Sequence, residues 1–190
     1  MLLKIDDITC AYAILEETFP KGELASKQAL EAFCEAKKMT LYGYYEKSAL
    51  RAVLSLWEFE NTVFIENFAV EKSFRGSGIG SRMLQEIVHR YKTKTIVLEV
   101  ETAYDTISQK RVNFYKKNGF VLNDYSFQQP QICNDLNPFP LSFMLYNQQM
   151  DKAGFEAMKT YIFSKVYAQY AQHQRLHVAN ENTQVKGEKA

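Results

Sequence analysis

Three glycines stand at alternate positions, Gly76, Gly78 and Gly80, between two apolar runs. The first is Phe68-Ala69-Val70; the second carries Ile79, Met83, Leu84, Ile87, Val88 and Tyr91 at the spacing of one helical face. Glycine where a helix begins lets a ligand approach the main chain, because no Cβ stands in the way. The first helical turn adds unpaired N–H groups and the positive end of the helix dipole. With Arg75 alongside as a fixed positive charge, these features read as a phosphate or pyrophosphate cradle. Spacing narrows the choice. A Walker loop requires a Lys after the last glycine, and none follows Gly80. A dinucleotide fingerprint requires glycine at position 81, which is Ser81, and it wants its glycines directly after the strand, whereas Glu71 to Phe74 intervene. The remaining pattern is Arg-x-x-Gly-x-Gly, filled by Arg75, Gly78 and Gly80. The plain alternative is a glycine-rich turn that permits tight strand–helix packing; the flanking strand and amphipathic helix favour the cradle.

That pattern resembles the acyl-CoA signature of the GCN5-related N-acetyltransferase (GNAT) family. Phe114-Tyr115-Lys116-Lys117-Asn118-Gly119-Phe120 is similar to the Phe/Leu-Tyr-x-x-x-Gly-Phe run of the GNAT helix beside the thioester. The resemblance spans residues 1–147 and implies an α/β, GNAT-like acyl-CoA N-acyltransferase fold, a mixed central sheet flanked by helices. It implies acetyl-CoA as cosubstrate and no metal. Backbone groups of Phe68, Ala69 and Val70 would receive the pantetheine arm like an added strand. The loop of Arg75, Gly76, Ser77, Gly78, Ile79, Gly80 and Ser81 would hold the pyrophosphate. Tyr115 would stand near the CoA sulfur as acid or hydrogen-bond donor to the departing thiolate. Many family members carry Asn and Ala where this chain has Ser108 and Arg111. A subgroup with Glu-Val-Glu on the strand and Arg-x-x-Phe-Tyr on the helix is more similar, through Glu99-Val100-Glu101 and Arg111 to Tyr115. Ser108 is then a candidate cofactor contact, and Arg111 a salt-bridge partner.

An amine acceptor must lose a proton before it attacks. A primary amine of pKa ~10.4 gives it up at neutral pH at a cost of roughly 4–5 kcal/mol, which a carboxylate can help to meet. Glu66 interrupts an apolar strand just before the cradle and is the first candidate base. Glu99 and Glu101 alternate on the next strand and so share a face, with Glu101 the second candidate. Tyr125 and Gln129 are placed to line an acceptor pocket. No cysteine lies in either motif, so direct attack is expected rather than an acyl-enzyme. A carboxylate-rich site points to a small cationic amine. Two other readings stay open: a protein lysine or N-terminal acetyltransferase, and a non-catalytic acyl-CoA-binding regulatory module.

A net charge of +1 gives no case for nucleic acid or an anionic membrane surface. Cys10, Cys34 and Cys133 are too scattered for a metal set or a disulfide framework, so reduced thiols and a cytoplasmic location are expected. No signal peptide or membrane-spanning apolar run is evident. At 190 residues the chain fits one catalytic domain over 1–147, a helical extension over 148–172 and a polar tail over 173–190.

The elements that must position the motifs follow from periodicity. Strands are expected at Leu2–Ile5, Met39–Glu46, Ala49–Phe59 and Thr62–Val70, the last three in antiparallel succession because their turns are short. Helices are expected from Ile8 to Phe19 and from Leu24 to Lys37. Thr95–Val100 should run parallel to its predecessor after the central helix. Thr106 and Gln109 suggest a capping box for the next helix, which Gly119 ends. Phe120–Phe127 and Leu141–Tyr146 are read as strands, and Asp151–Gln172 as a last helix with Phe155, Met158, Ile162, Val166 and Tyr170 on one stripe. That helix could pack on the core or mediate a homodimer.

Overall fold

The computed structural model describes residues 1–20, 23–102, 105–130 and 140–175. Strand β1 (Leu2–Lys4) is followed by helices α1 (Thr9–Thr18) and α2 (Lys27–Glu35). Strands β2 (Met39–Glu46), β3 (Ala49–Glu58) and β4 (Thr62–Val70) form an antiparallel meander, as their short connections require. Helix α3 (Ile79–Arg90) carries the chain over to β5 (Thr95–Glu101), which pairs with β4 in parallel. Helix α4 (Thr106–Lys117), β6 (Phe120–Leu122), β7 (Phe127–Gln128), β8 (Pro140–Tyr146) and α5 (Lys152–Ile162) complete the order. The strands form one mixed sheet in the order β1-β2-β3-β4-β5-β8-β6, with β7 also paired to β8.

Both faces of the sheet are covered. Ile79, Met83, Leu84 and Ile87 of α3 and Val112 and Tyr115 of α4 pack on one face. Ala11 and Leu15 of α1, Leu30 and Phe33 of α2, and Phe155 and Ile162 of α5 pack on the other. The centre of β5 is therefore apolar on both sides, and Ile96, Val97 and Leu98 are all buried.

Four expectations are corrected. The second helix is shorter, because Ser26 caps it through a bond from the Ala29 amide to its Oγ. The capping box of α4 belongs to Asp105 and Ser108, one residue before the Thr106/Gln109 reading; Asp105 Oδ1 accepts the Ser108 amide at 2.7 Å. Phe120–Phe127 is not one strand. Asn123 breaks it by donating to the Phe143 carbonyl and accepting from the Met150 amide. The last helix runs on through residue 175, with a π-helical turn at Phe163–Tyr167. It packs on the core: Tyr170 lies against Phe33 and Trp57, with ring centroids 4.9 and 6.2 Å away. Cys133, His177 and residues 131–139 and 176–190 lie outside the described residues, as does most of the expected polar tail.

The feature that opens the sheet is a β-bulge. Leu56 pairs with Ile65, but Ser55 pairs with Asn67, so Glu66 is the extra residue on β4. Pairing between β4 and β5 also ends at Ile65 and Leu98. Ser55 secures the bulge from β3: its Oγ donates to Asn67 Oδ1 at 3.0 Å and accepts from the Asn67 amide at 3.1 Å. Both residues are buried, so removing the hydroxyl strands two polar groups away from water. Ser55→Ala should lower stability by about 1–3 kcal/mol in urea unfolding. An unchanged midpoint would show that this hydroxyl does not hold the bulge.

Candidate active site

The glycine loop lies where the chain leaves β4. A short 3-10 turn, Lys72–Phe74, leads into Gly76 and Gly78, whose φ angles of +83° and +82° are readily available to glycine. A Cβ on Gly76 would meet nothing within 4 Å, and one on Gly78 would meet only Arg82 Nη1 at 3.3 Å. The loop is thus open to an approaching ligand. Gly80 has another role: a Cβ there would press on Phe114 and on Val70, each at 3.3 Å, so this glycine sets how closely α3 approaches β4 and α4. Among the described residues the amides of Gly76, Gly78, Ile79, Gly80 and Ser81 make no main-chain hydrogen bond, and they cluster at the α3 N-terminus. Such a cluster, at the positive end of a helix, fits a pyrophosphate. The Ser77 hydroxyl is turned to the Phe74 carbonyl, and the Ile79 side chain is buried in the core. Arg75 folds back, donating from Nε to the Val70 carbonyl and from Nη2 to Thr18 Oγ1, both at 3.2 Å.

Beyond the bulge, Phe68, Ala69 and Val70 pair with β3, while β5 no longer pairs with them. Their second edge is a place for another extended chain. Tyr115 projects from α4 into the core on the α3/α4 face, between the rings of Phe114 and Phe120. Burial pushes its phenol up to about 12, with Arg111 acting in the opposite direction. Ser108 is buried, and its hydroxyl is bound to Asp105 in the helix cap.

On the opposite face, the end of β4–β5 pairing leaves a cavity of about 70 Å³. Glu23, Glu66, Glu99 and Glu101 all line it, with Arg111 as a cationic neighbour and Gln129 and Tyr167 on its wall. Glu66 accepts from the Trp57 indole, Nε1 to Oε2, at 2.7 Å. Burial lifts its carboxyl to about 7, although the nearby Tyr170 hydroxyl and the Trp57 indole favour the anion. Tyr170 exerts that influence without completing a hydrogen bond of good geometry. Burial lifts Glu99 further, to about 8; Tyr167 donates to its Oε2 at 2.5 Å and Glu66 repels its charge. Glu23 is raised by burial and by Glu101, with Arg111 opposing. Glu101 is paired with Arg111, Nη1 to Oε1 at 2.7 Å; a salt bridge is expected of that arginine, and the structure supplies its partner.

The structure therefore brings together Glu66, Glu101 and Gln129, and it puts Tyr115 on the other side of the sheet. Tyr125 packs on Phe155. Sequence reasoning passed over Glu23, Tyr167 and Tyr170 and did not select Glu99. Tyr170 lay on the apolar stripe of the last helix and read as core. Tyr167 lies off that stripe; the π turn adds a residue and swings it inward. Glu99 did carry a signal, since it shares a face with Glu101 on a strand otherwise buried. Among the described residues no helix is long and apolar enough to cross a membrane.

Residues 37–122 match the family model described as an acetyltransferase (GNAT) domain. The chain is 27% identical over 152 residues to a protein named "Putative acetyltransferase YjbC" from Bacillus subtilis (strain 168), covering 78% of this chain and 77% of that one. Its fold is similar to that of "Putative acetyltransferase from GNAT family" from Bacteroides thetaiotaomicron, with a TM-score of 0.79 and 22% identity over 88% of this chain and 98% of that one. It is also similar to a GNAT family acetyltransferase from Elizabethkingia anophelis solved with acetyl-CoA bound. That TM-score is 0.56 at 17% identity, covering 78% of this chain and 97% of the other.

The raised carboxyls have a consequence for stability. Folding holds protons on Glu66 and Glu99 above the ordinary 4.5, where the unfolded chain has already released them. Their contribution is full below about pH 4.5 and is lost as pH rises through 7 to 8. Unfolding midpoints should fall across that window, and Glu66→Gln should flatten the fall. Parallel pH curves for the two proteins would contradict the burial of this carboxyl.

Proposed function

We propose that this chain is an acetyltransferase of the GNAT type, which takes its acetyl group from acetyl-CoA and passes it to a small cationic amine by direct attack. The observation that carries this reading is the carboxylate-lined cavity at the point where β4 and β5 part, on a strand that runs on into an open glycine loop. Four carboxyl groups line that cavity against one guanidinium, so those that ionise attract a cation.

When bound, acetyl-CoA supplies the acetyl group as an activated thioester. The amides of Gly76, Gly78, Ile79, Gly80 and Ser81 would hold the pyrophosphate, with Arg75 released from Val70 to add its charge. Phe68, Ala69 and Val70 would align the pantetheine arm along their open edge. Glu66 is the proposed general base. A carboxyl near 7 is partly ionised at neutral pH, so it can take the ammonium proton from an amine in the cavity. Glu101 suits that task less, because Arg111 already holds its charge. Tyr115 serves the leaving sulfur. Full transfer from a phenol near 12 to a thiolate of pKa ~8.5 would be uphill by about 5 kcal/mol, so Tyr115 donates a hydrogen bond.

Tyr115→Phe should lower kcat by about tenfold or more in a thiol-release assay, while acetyl-CoA affinity by calorimetry stays within a factor of two or so. Equal turnover would remove Tyr115 from the reaction. Gly78→Val should abolish measurable acetyl-CoA binding, since a β-branched residue is strained at this φ and its side chain would crowd the loop. Retained affinity would refute the cradle.

A further inference from the structure

Between Glu71 and Ile79 every residue is exposed except Phe74, whose ring packs against the core on the α3/α4 face. The turn that leads into the glycine loop therefore has few anchors, and two of them meet at one guanidinium. Arg51, near the start of β3, donates from Nη1 to Glu71 Oε2 at 2.6 Å, and its guanidinium carbon lies 4.0 Å from the centre of the Phe74 ring. A guanidinium can do both at once, because its N–H fork and its flat face are separate surfaces. The Arg51 carbonyl also accepts the Glu71 amide at 2.8 Å, one step past the last β3–β4 pair, Ala52 with Val70. The rest of the turn is built on these two partners of Arg51. Glu71 Oε1 accepts from Ser73 Oγ at 2.7 Å, and the Glu71 carbonyl accepts the Phe74 amide at 2.9 Å. The Phe74 carbonyl in turn accepts the Ser77 amide at 3.3 Å and Ser77 Oγ at 2.7 Å. Gly78, which starts α3, follows directly.

Arg51 holds this position at a cost, since its Nε is buried and has no hydrogen-bond partner among the described residues. Little of the return is global stability. Both side chains of the Arg51–Glu71 pair are partly exposed, and an ion pair so placed adds little to folding. The return is local order. Exposed backbone must be fixed before its amides can converge on a pyrophosphate, and whatever order the free protein lacks is subtracted from affinity. We propose that Arg51 is a positioning residue for the coenzyme: by holding Glu71 and Phe74 it sets the turn Lys72–Phe74, and so presents the amides of the glycine loop to the pyrophosphate; this rests on the acetyltransferase reading above. Arg51 touches no reacting atom and acts only through its two partners. A lysine there would keep the charge for Glu71 but lose the flat face that covers Phe74. Once both partners are replaced, Arg51 has nothing left to act through.

The test uses the full chain labelled with ¹⁵N. Acetyl-CoA affinity is measured by calorimetry, and the backbone order of Gly76, Gly78 and Gly80 in the free protein by the heteronuclear NOE. The proteins are the wild type, Arg51→Met, Arg51→Lys and Lys94→Met, the last of which removes an ion pair of 2.8 Å at the other end of β3. Arg51→Met should weaken acetyl-CoA about tenfold and lower the three glycine NOEs, whereas Lys94→Met should leave both as in the wild type. Arg51→Lys should recover part of each loss. In a protein that already carries Glu71→Gln and Phe74→Leu, adding Arg51→Met should change affinity by less than about twofold. Unaltered glycine NOEs or unaltered affinity in Arg51→Met, an equal loss in Lys94→Met, or a full further loss in the double-variant background overturns the role. If Arg51→Met does not fold, Glu71→Gln and Phe74→Leu decide singly, and wild-type affinity in both overturns it. Failure of acetyl-CoA to bind the wild type would instead overturn the acetyltransferase reading, and the glycine NOEs of the free proteins would still judge whether Arg51 sets the loop.

Discussion

Everything at this site follows from one extra residue on β4. Glu66 has no counterpart on β3, and the strand bends to accommodate it. The bend ends the β4–β5 ladder at Ile65 and Leu98, which leaves the edge of Phe68 to Val70 unpaired on that side. A regular parallel pair would have filled the sheet's centre with hydrogen bonds and left no room for a ligand. The price in unpaired polar groups is limited by Ser55, whose hydroxyl bonds both the amide and the side chain of Asn67.

The same bend turns a carboxylate into the protein. Glu66 and Glu99 leave water on the face covered by α1, α2 and α5, where burial disfavours their charge. Trp57 and Tyr167 each bind one carboxylate oxygen, which offsets part of the desolvation. The outcome is a pair of carboxyls that titrate near neutrality beside a cavity, an arrangement suited to proton transfer and cation recognition. Glu101, two residues along from Glu99, is held differently because Arg111 reaches it from α4. Alternate positions on one strand thus serve as an ion pair and as a desolvated acid.

The last helix belongs to this machinery as well as to the core. Phe155 and Ile162 anchor it, and Tyr170 joins Phe33 and Trp57 in an aromatic cluster under the sheet. A π turn at Phe163–Tyr167 changes the helical phase, so Val166 and Tyr167 are both buried although adjacent in sequence. An uninterrupted α-helix would turn Tyr167 away and leave Glu99 without its donor. The extension lies beyond the residues matched by the family model, yet it supplies two of the hydroxyls around the carboxylates.

Much of this was legible in the residues. Apolar periodicity located β2 to β5 and α3 within a residue or two, because each is a long element with a consistent face. Alternate glycines before an amphipathic helix marked the loop, and Arg111 read as a salt-bridge partner, although only the structure shows that it pairs with Glu101. Short elements were less legible: Asn123 splits a strand through bonds to Phe143 and Met150, which are distant in sequence. The site divides along the same line. Local chemistry nominated the loop, Tyr115 and the acidic residues as candidates, since spacing and side-chain type are properties of the chain. The bulge at Glu66, the phase shift that delivers Tyr167, and the desolvation that sets the carboxyls apart came only with folding, because each depends on which remote groups pack against which.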